Sequence, residues 1–131
     1  MKKIALIFLF STLFLSFKID FADYCEVHLN SSLVLKIYSN EFETAKLNLK
    51  NLKGTDVLKI TYVTDTPSDE KFKISVKDKN GKIIKLLDAY DDLGRTPSRL
   101  QCTEIMNYDI VYMYVKNKNQ EYRIFETDIT K

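Results

Sequence analysis

The segment KFKISVKDKNGKIIKLL (residues 71–87) decides the fold class, because it reads as two β-strands joined by a tight turn. Apolar and polar residues alternate from Lys71 to Lys77, and Asn80-Gly81 is a pair that favours a two-residue hairpin turn. That turn predicts a register in which Ile74 lies opposite Leu87, with both side chains facing the core. The remaining predicted pairs are Asp78 with Ile83, Val76 with Lys85, Phe72 with Ala89, and Lys73 with Asp88 as an ion pair.

The same alternation recurs through most of the chain, without a convincing helical period. We therefore predict an all-β fold of eight or nine short strands, which indicates an antiparallel β-sandwich or a small β-barrel. An immunoglobulin-like sandwich is the preferred architecture, although the chain has no tryptophan for that family's usual buried position. Besides the hairpin, the predicted strands are residues 24–29, 33–38, 42–52, 57–63, 99–105, 109–116 and 121–129.

The first 22 residues have the pattern of a secretory signal peptide. Lys2 and Lys3 precede an uncharged apolar run ending at Phe17, which is shorter than the roughly 20 residues that a membrane-spanning helix needs. Ala22 supplies a small residue before the expected cut. We therefore predict an exported protein, periplasmic or secreted. Its residues 23–131 should form a single domain with no transmembrane segment after signal removal.

The predicted mature chain has no excess of positive charge. The full sequence contains 20 basic and 18 acidic residues, and the signal peptide removes three lysines and one aspartate. Phosphate binding usually needs a marked basic excess. The 17 basic and 17 acidic residues that remain therefore argue against nucleic acid as a partner.

The two cysteines, Cys25 and Cys102, allow only one intramolecular pairing. In an oxidising compartment, that pairing predicts a disulfide bond. A reactive thiol would need a C-x-x-C motif or an activating basic neighbour, and the sequence shows neither. Lipidation of Cys25 is disfavoured because Asp23 and Tyr24 interrupt the small residues typical of a lipoprotein processing site.

Motifs for catalysis are missing from the sequence. A single histidine excludes a multi-histidine metal site, and three glycines in the whole chain leave little room for a phosphate-binding loop. No G-x-S-x-G or H-E-x-x-H pattern occurs. The sequence therefore predicts a protein that is not an enzyme and carries no cofactor.

Two acidic loops flank the 71–87 hairpin and should emerge at the same end of the sheet. Carboxylates from neighbouring loops can supply the roughly six to eight oxygen ligands that Ca²⁺ prefers. Acidic residues are also ordinary in turns, which is the alternative explanation. The Ca²⁺ candidates are Asp65, Asp69, Glu70, Asp88, Asp91 and Asp92.

The last two predicted strands are apolar on both faces, which a sheet with one solvated face does not require. A turn at Lys118-Asn119 would set Tyr114 opposite Arg123 and Tyr112 opposite Phe125. If this face is outward, its tyrosines and arginine are typical of a protein interface. If other segments cover it, the pair is simply a central one. The predicted partner-binding residues are Ile110, Tyr112, Tyr114, Arg123 and Phe125.

Two classes of function follow from these features. The first is an exported module that binds another protein, as periplasmic inhibitors, immunity proteins and assembly factors do. The alternative is a Ca²⁺-dependent surface or glycan-binding module that uses the acidic loops. A structural component of the cell envelope is a third interpretation.

Overall fold

The computed structural model describes residues 23–64, 72–88, 97–116 and 120–130. The predicted signal peptide lies outside these ranges, as do five of the six Ca²⁺ candidates, Asp65, Asp69, Glu70, Asp91 and Asp92. Two short 3-10 helices occur within these ranges, at Ser39–Glu41 and Cys102–Glu104. The strands are β1 (Tyr24–Leu29), β2 (Ser32–Tyr38), β3 (Lys46–Lys50), β4 (Val57–Val63), β5 (Lys73–Lys77), β6 (Ile83–Asp88), β7 (Ser98–Gln101), β8 (Ile110–Lys116) and β9 (Glu121–Thr130).

The nine strands of the described residues form two sheets packed face to face. One sheet has the order β2-β1-β4-β7, and the other has the order β3-β9-β8-β5-β6. The predicted β-sandwich is confirmed, and the described strands do not close into a barrel. Among the described residues, no helix is long and apolar enough to span a membrane.

The immunoglobulin-like arrangement stays a prediction, and part of the strand order agrees with it. β4 and β7 are neighbours in one sheet, whereas β9, β8, β5 and β6 follow one another in the other. These positions correspond to strands B and E in one layer and G, F, C and C′ in the other layer of a variable-type domain. Along the described strands, the chain passes from one sheet to the other at five steps: β2–β3, β3–β4, β4–β5, β6–β7 and β7–β8.

One strand pair departs from the antiparallel prediction. β3 runs parallel to β9, with Lys46 opposite Glu126 and Lys50 opposite Thr130. A parallel pair cannot be closed by a short turn. Here the connection contains β4 to β8, and the local pattern of β3 carries no information about that distant neighbour.

The core fills the space between the two sheets. Each central strand contributes alternate residues to it, as the period of two requires. Val27 and Ile60 come from one sheet and Ile74 and Met113 from the other, and all four are at most 1% exposed. Further fully buried side chains are Leu58, Val76, Leu100, Ile105, Val111, Val115, Ile124 and Phe125.

The β5–β6 hairpin confirms most of its predicted register and corrects its turn. The pairs Ile74–Leu87, Val76–Lys85 and Lys73–Asp88 are present, although the last makes no ion pair among the described residues. The turn holds three residues, because the Asp78 amide donates to the Lys82 carbonyl at 2.9 Å. Gly81 takes the left-handed conformation (φ 81°) that such a loop needs. An extra residue at Ile84 then restores the register, so that Ile83 faces Lys77 instead of Asp78.

Two predicted strands are shorter than expected. Residues 42–45 precede β3 as a turn, because Glu43 has a φ of 71° that interrupts an extended chain. Strand β7 ends at Gln101, after which the amides of Ile105 and Met106 both donate to the Cys102 carbonyl. Both endings depend on backbone turns that alternation alone does not reveal.

The predicted disulfide is wrong, since Cys25 and Cys102 are both buried free thiols. Cys25 pairs with Tyr62 on β4, whereas Gln101, next to Cys102, pairs with Val57 at the other end of that strand. Five strand positions correspond to about 16 Å along the sheet. A disulfide needs Cα atoms within about 7 Å of each other.

Candidate functional site

The outer surface of the five-stranded sheet carries a cluster of tyrosines. Tyr112 and Tyr114 project outward from β8, because Val111, Met113 and Val115 between and beside them point into the core. Both tyrosines are partly exposed. We call the surface formed by Lys77, Ile83, Leu86, Tyr112, Tyr114 and Arg123 the tyrosine face.

Two cations lie over the tyrosine rings. The Lys77 Nζ atom is 4.5 Å from the ring centroid of Tyr114, and the Arg123 Cζ atom is 5.2 Å from that of Tyr112. Strand register sets Lys77 opposite Tyr112 and Arg123 opposite Tyr114, so each cation reaches diagonally to the other ring. Such contacts stabilise by about 0.5–1 kcal/mol each at exposed sites. The Lys77 ammonium also forms an ion pair with Glu121.

Two exposed apolar side chains extend the tyrosine face across the sheet. Ile83 is 53% exposed and Leu86 is 46% exposed, both on β6. Ile83 shares a row with Lys77 and Tyr112, while Leu86 shares a row with Ser75 and Tyr114. The two rows therefore connect the edge strand to β8 across β5, where Lys77 and Ser75 occupy the positions between the apolar side chains and the tyrosines.

A β-bulge in β9 decides which predicted partner-binding residues reach this face. Tyr114 lies opposite Arg123 as predicted, but the predicted pair of Tyr112 with Phe125 is wrong. The register shifts at Ile124, so that Phe125 faces Met113 and is fully buried. One added residue turns the rest of a strand over to its other face.

The remaining predicted residue, Ile110, begins β8 on the outer side and is partly exposed. It lies opposite Asp128, because the bulge at Ile124 shifts the register of the rest of β9. The tyrosine face therefore keeps Tyr112, Tyr114 and Arg123 of the predicted set, with Ile110 at its end.

Arg123 also borders a cleft at the rim of the sandwich. Its Nη2 atom donates to the Glu43 carbonyl at 2.7 Å, which holds the guanidinium against the turn that precedes β3. The cleft has a volume of about 340 Å³ and is lined by Asp23, Ser39, Phe42, Glu43, Tyr122 and Arg123. Arg123 is thus shared between the cleft and the tyrosine face.

Behind the cleft, Tyr62 and Tyr122 join the two sheets. Their hydroxyls are in hydrogen-bond contact, and the Tyr62 hydroxyl also donates to Asp23 at 2.8 Å. Phe42 packs near both rings, with centroid distances of 6.2 and 6.3 Å. Burial raises the pKa of both phenols, so they stay neutral and keep their hydrogen bonds at neutral pH. We call this cluster of Phe42, Tyr62 and Tyr122 the clasp between the sheets, and the sequence analysis missed it.

Of the Ca²⁺ candidates, only Asp88 lies within the described ranges. Its carbonyl accepts a hydrogen bond from the Ser98 hydroxyl at 3.0 Å, and its side chain is exposed on β6. No cluster of three or more histidine, cysteine or acidic side chains within the described ranges is placed to hold a metal.

Sequence reasoning also missed Lys77, Ile83 and Leu86 as members of the tyrosine face. Their strands adjoin β8 only through the sheet order β8-β5-β6, which no local pattern specifies. The alternation of Lys77 with Val76 could have indicated that Lys77 points outward.

Comparisons of the chain with protein-family models, with curated proteins and with solved structures found no match.

Proposed function

We propose that the chain is an exported, non-enzymatic β-sandwich that binds a protein partner through the tyrosine face. The observation that carries the proposal is the placement of Ile83 and Leu86, both about half exposed, in the same two rows of one sheet surface as Tyr112 and Tyr114. Exposed apolar side chains that gather on one surface among polar residues are typical of interaction sites.

The residue types of this face also favour a protein partner. Tyrosine and arginine are enriched where interfaces are tightest, because they combine a large apolar area with polar contacts. The side chains are held in advance, since Arg123 is fixed by the Glu43 carbonyl and Lys77 by Glu121. Groups that are already ordered lose less conformational entropy when a partner binds.

The same contacts make glycan stacking on these tyrosines unfavourable. A sugar would have to displace the Lys77 ammonium from Tyr114 or the Arg123 guanidinium from Tyr112. A protein partner can instead pack against the apolar edge and pair with the cations where they lie. The alternative, a Ca²⁺-dependent module, rests on six acidic residues, and only one of them, Asp88, lies within the described residues.

Export is the part of the proposal that rests on the leader sequence. Cell fractionation and N-terminal sequencing test it, and we expect a processed chain that begins at Asp23 or within a few residues of it. An unprocessed chain in the cytoplasm would contradict the proposal of export while leaving the tyrosine face untouched.

The binding function is tested by affinity capture from the compartment in which the mature protein resides. We expect a specific protein to be retained by the natural chain and lost with Tyr112→Ala or Leu86→Ser. Tyr38→Ala is the matched control, because Tyr38 is an exposed tyrosine on the outer face of the other sheet, with the Lys36 Nζ atom 6.0 Å from its ring. Equal retention by all variants would reject the tyrosine face as the binding surface.

A further inference from the structure

A second cleft lies between the turn of the β5–β6 hairpin and the segment that leads into β8. It has a volume of about 360 Å³, within the range of small-ligand sites. Asp78, Lys79 and Asn80 line one side, and Asn107, Tyr108 and Asp109 line the other. We call it the hairpin cleft.

Hydrogen bonds fix the backbone on the hairpin side of the cleft. The Asp78 carboxylate accepts from the amides of Asn80 and Lys82, both at 2.9 Å. The Gly81 amide donates to the Asp78 carbonyl at 3.0 Å. The Asp78 carboxylate therefore stabilises the turn, and the backbone that carries the side chains of Lys79 and Asn80 is held in place.

The opposite side is equally well held. The Tyr108 amide donates to the Ile105 carbonyl at 3.0 Å, and the Asp109 carbonyl accepts from the Ile129 amide at 2.8 Å. Ile105 is fully buried, and Tyr108 packs partly against the core. A pre-formed site of this kind loses little entropy when it binds a ligand.

Three polar side chains of the cleft, unlike that of Asp78, are not used by the described part of the fold. Within the described ranges, Asn80, Asn107 and Asp109 make no side-chain hydrogen bond or ion pair, and all three are exposed. The two amides offer donors and acceptors together, and the carboxylate offers acceptors alone. A ligand that carries several adjacent hydroxyl groups matches this set, because each hydroxyl also donates and accepts.

We propose that the hairpin cleft binds a neutral, polyhydroxylated ligand, such as a sugar unit of a glycan. Two aspartates against one lysine leave the lining with a net negative charge, which disfavours anionic ligands. Tyr108 adds an amphipathic ring, of the kind that presents both an apolar body and a polar tip. The site needs no metal ion, does not use the acidic loops, and adjoins the tyrosine face only through Ile110, which also lines the cleft.

The test is binding of the mature protein to an array of neutral and acidic glycans in the presence of a chelator. Calorimetric titration of the neutral glycan that gives the strongest signal then follows. We expect saturable binding that Asn107→Ala and Asn80→Ala each weaken by about tenfold, the cost of one hydrogen bond in a polar site. Tyr112→Ala should bind the glycan as the natural chain does.

Two results would overturn the assignment. One is the absence of binding to every neutral glycan on the array. The other is unchanged affinity in both asparagine variants. Thermal unfolding of each variant serves as the control, and because both side chains are exposed we expect unchanged melting temperatures.

Discussion

The Arg123 guanidinium carbon lies 5.2 Å from the ring centroid of Tyr112, although strand register sets Arg123 opposite Tyr114. The bulge at Ile124 separates the part of β9 that includes Arg123 from the part that begins with the buried Phe125. Arg123 therefore stays on the outer face, where its contacts with Tyr112 and the Glu43 carbonyl hold it in place. Because of the bulge, β9 contributes the buried Phe125 to the core and the cation of Arg123 to the outer face.

This arrangement predicts opposite consequences for two aromatic truncations. Phe125→Ala should lower the free energy of unfolding by about 3–5 kcal/mol, because it leaves a cavity in the core. Tyr112→Ala should lower it by about 1 kcal/mol, since the ring is partly exposed and loses mainly its contact with Arg123. Chemical denaturation of both variants is the measurement. A smaller loss for Phe125→Ala than for Tyr112→Ala would contradict the bulged register.

Sequence patterns predicted this fold well wherever the signal was local. Asn80-Gly81 and the alternation around it gave the pairs of Ile74 with Leu87 and Val76 with Lys85. The bulge at Ile124 was not predictable in this way, because Ile124 and Phe125 are both apolar and either can face the core. The same holds for the candidate site. Alternation placed Tyr112 and Tyr114 on one face of their strand, whereas the position of Ile83 and Leu86 on the same sheet surface depends on the sheet order.

The disulfide prediction failed for a different reason. An even cysteine count and an oxidising compartment say nothing about distance, and Cys25 and Cys102 adjoin opposite ends of β4. Both thiols are instead small buried side chains of the core.

The two thiols should be unreactive in the native protein and available after unfolding. Burial raises the pKa of Cys25 to about 12 and that of Cys102 to about 11, so the reactive thiolate is scarce at neutral pH. We expect alkylation of both cysteines only in denaturant, without any reductant. An intact mass that shows no alkylation under those conditions would restore the disulfide.

Acid should weaken the connection between the β1–β2 turn and β4. Asn30 donates to the Asp56 carboxylate at 3.0 Å, and the Lys53 amide donates to it at 2.8 Å. These bonds lower the pKa of Asp56, so their stabilisation is present above the ordinary carboxyl pKa and is lost as pH falls through the lowered one. Between about pH 5 and pH 2, the melting temperature of Asp56→Asn should fall less steeply than that of the natural chain.

Asp109→Asn is the control for this titration. Asp109 is exposed and makes no side-chain hydrogen bond within the described ranges. Its replacement removes the same charge as Asp56→Asn without removing a hydrogen bond of the described structure. Parallel acid profiles for Asp56→Asn and the natural chain would show that the hydrogen bonds to Asp56 do not contribute.

Alkaline pH should destabilise the protein through the two phenols of the clasp between the sheets. The pKa values of Tyr62 and Tyr122 are raised in the folded protein, so folding retains protons that the unfolded chain releases above about pH 10. Stability is therefore lost as pH rises past that value. Tyr122→Phe removes one of the two phenols, and its melting temperature should decline less steeply between about pH 9 and pH 11. An unchanged slope would show that these hydroxyls do not couple folding to pH.

The most direct test of the binding account is the dissociation constant of the captured protein for residues 23–131. It is measured for the natural sequence and for the variants Tyr112→Ala and Tyr38→Ala. Tyr112→Ala should raise it by about 30-fold, the equivalent of about 2 kcal/mol at an interface hot spot. Tyr38→Ala, on the other sheet, should leave it unchanged, and both variants should remain folded at the temperature of the measurement. A dissociation constant that Tyr112→Ala does not alter, or that Tyr38→Ala raises equally, would contradict a binding site on the tyrosine face.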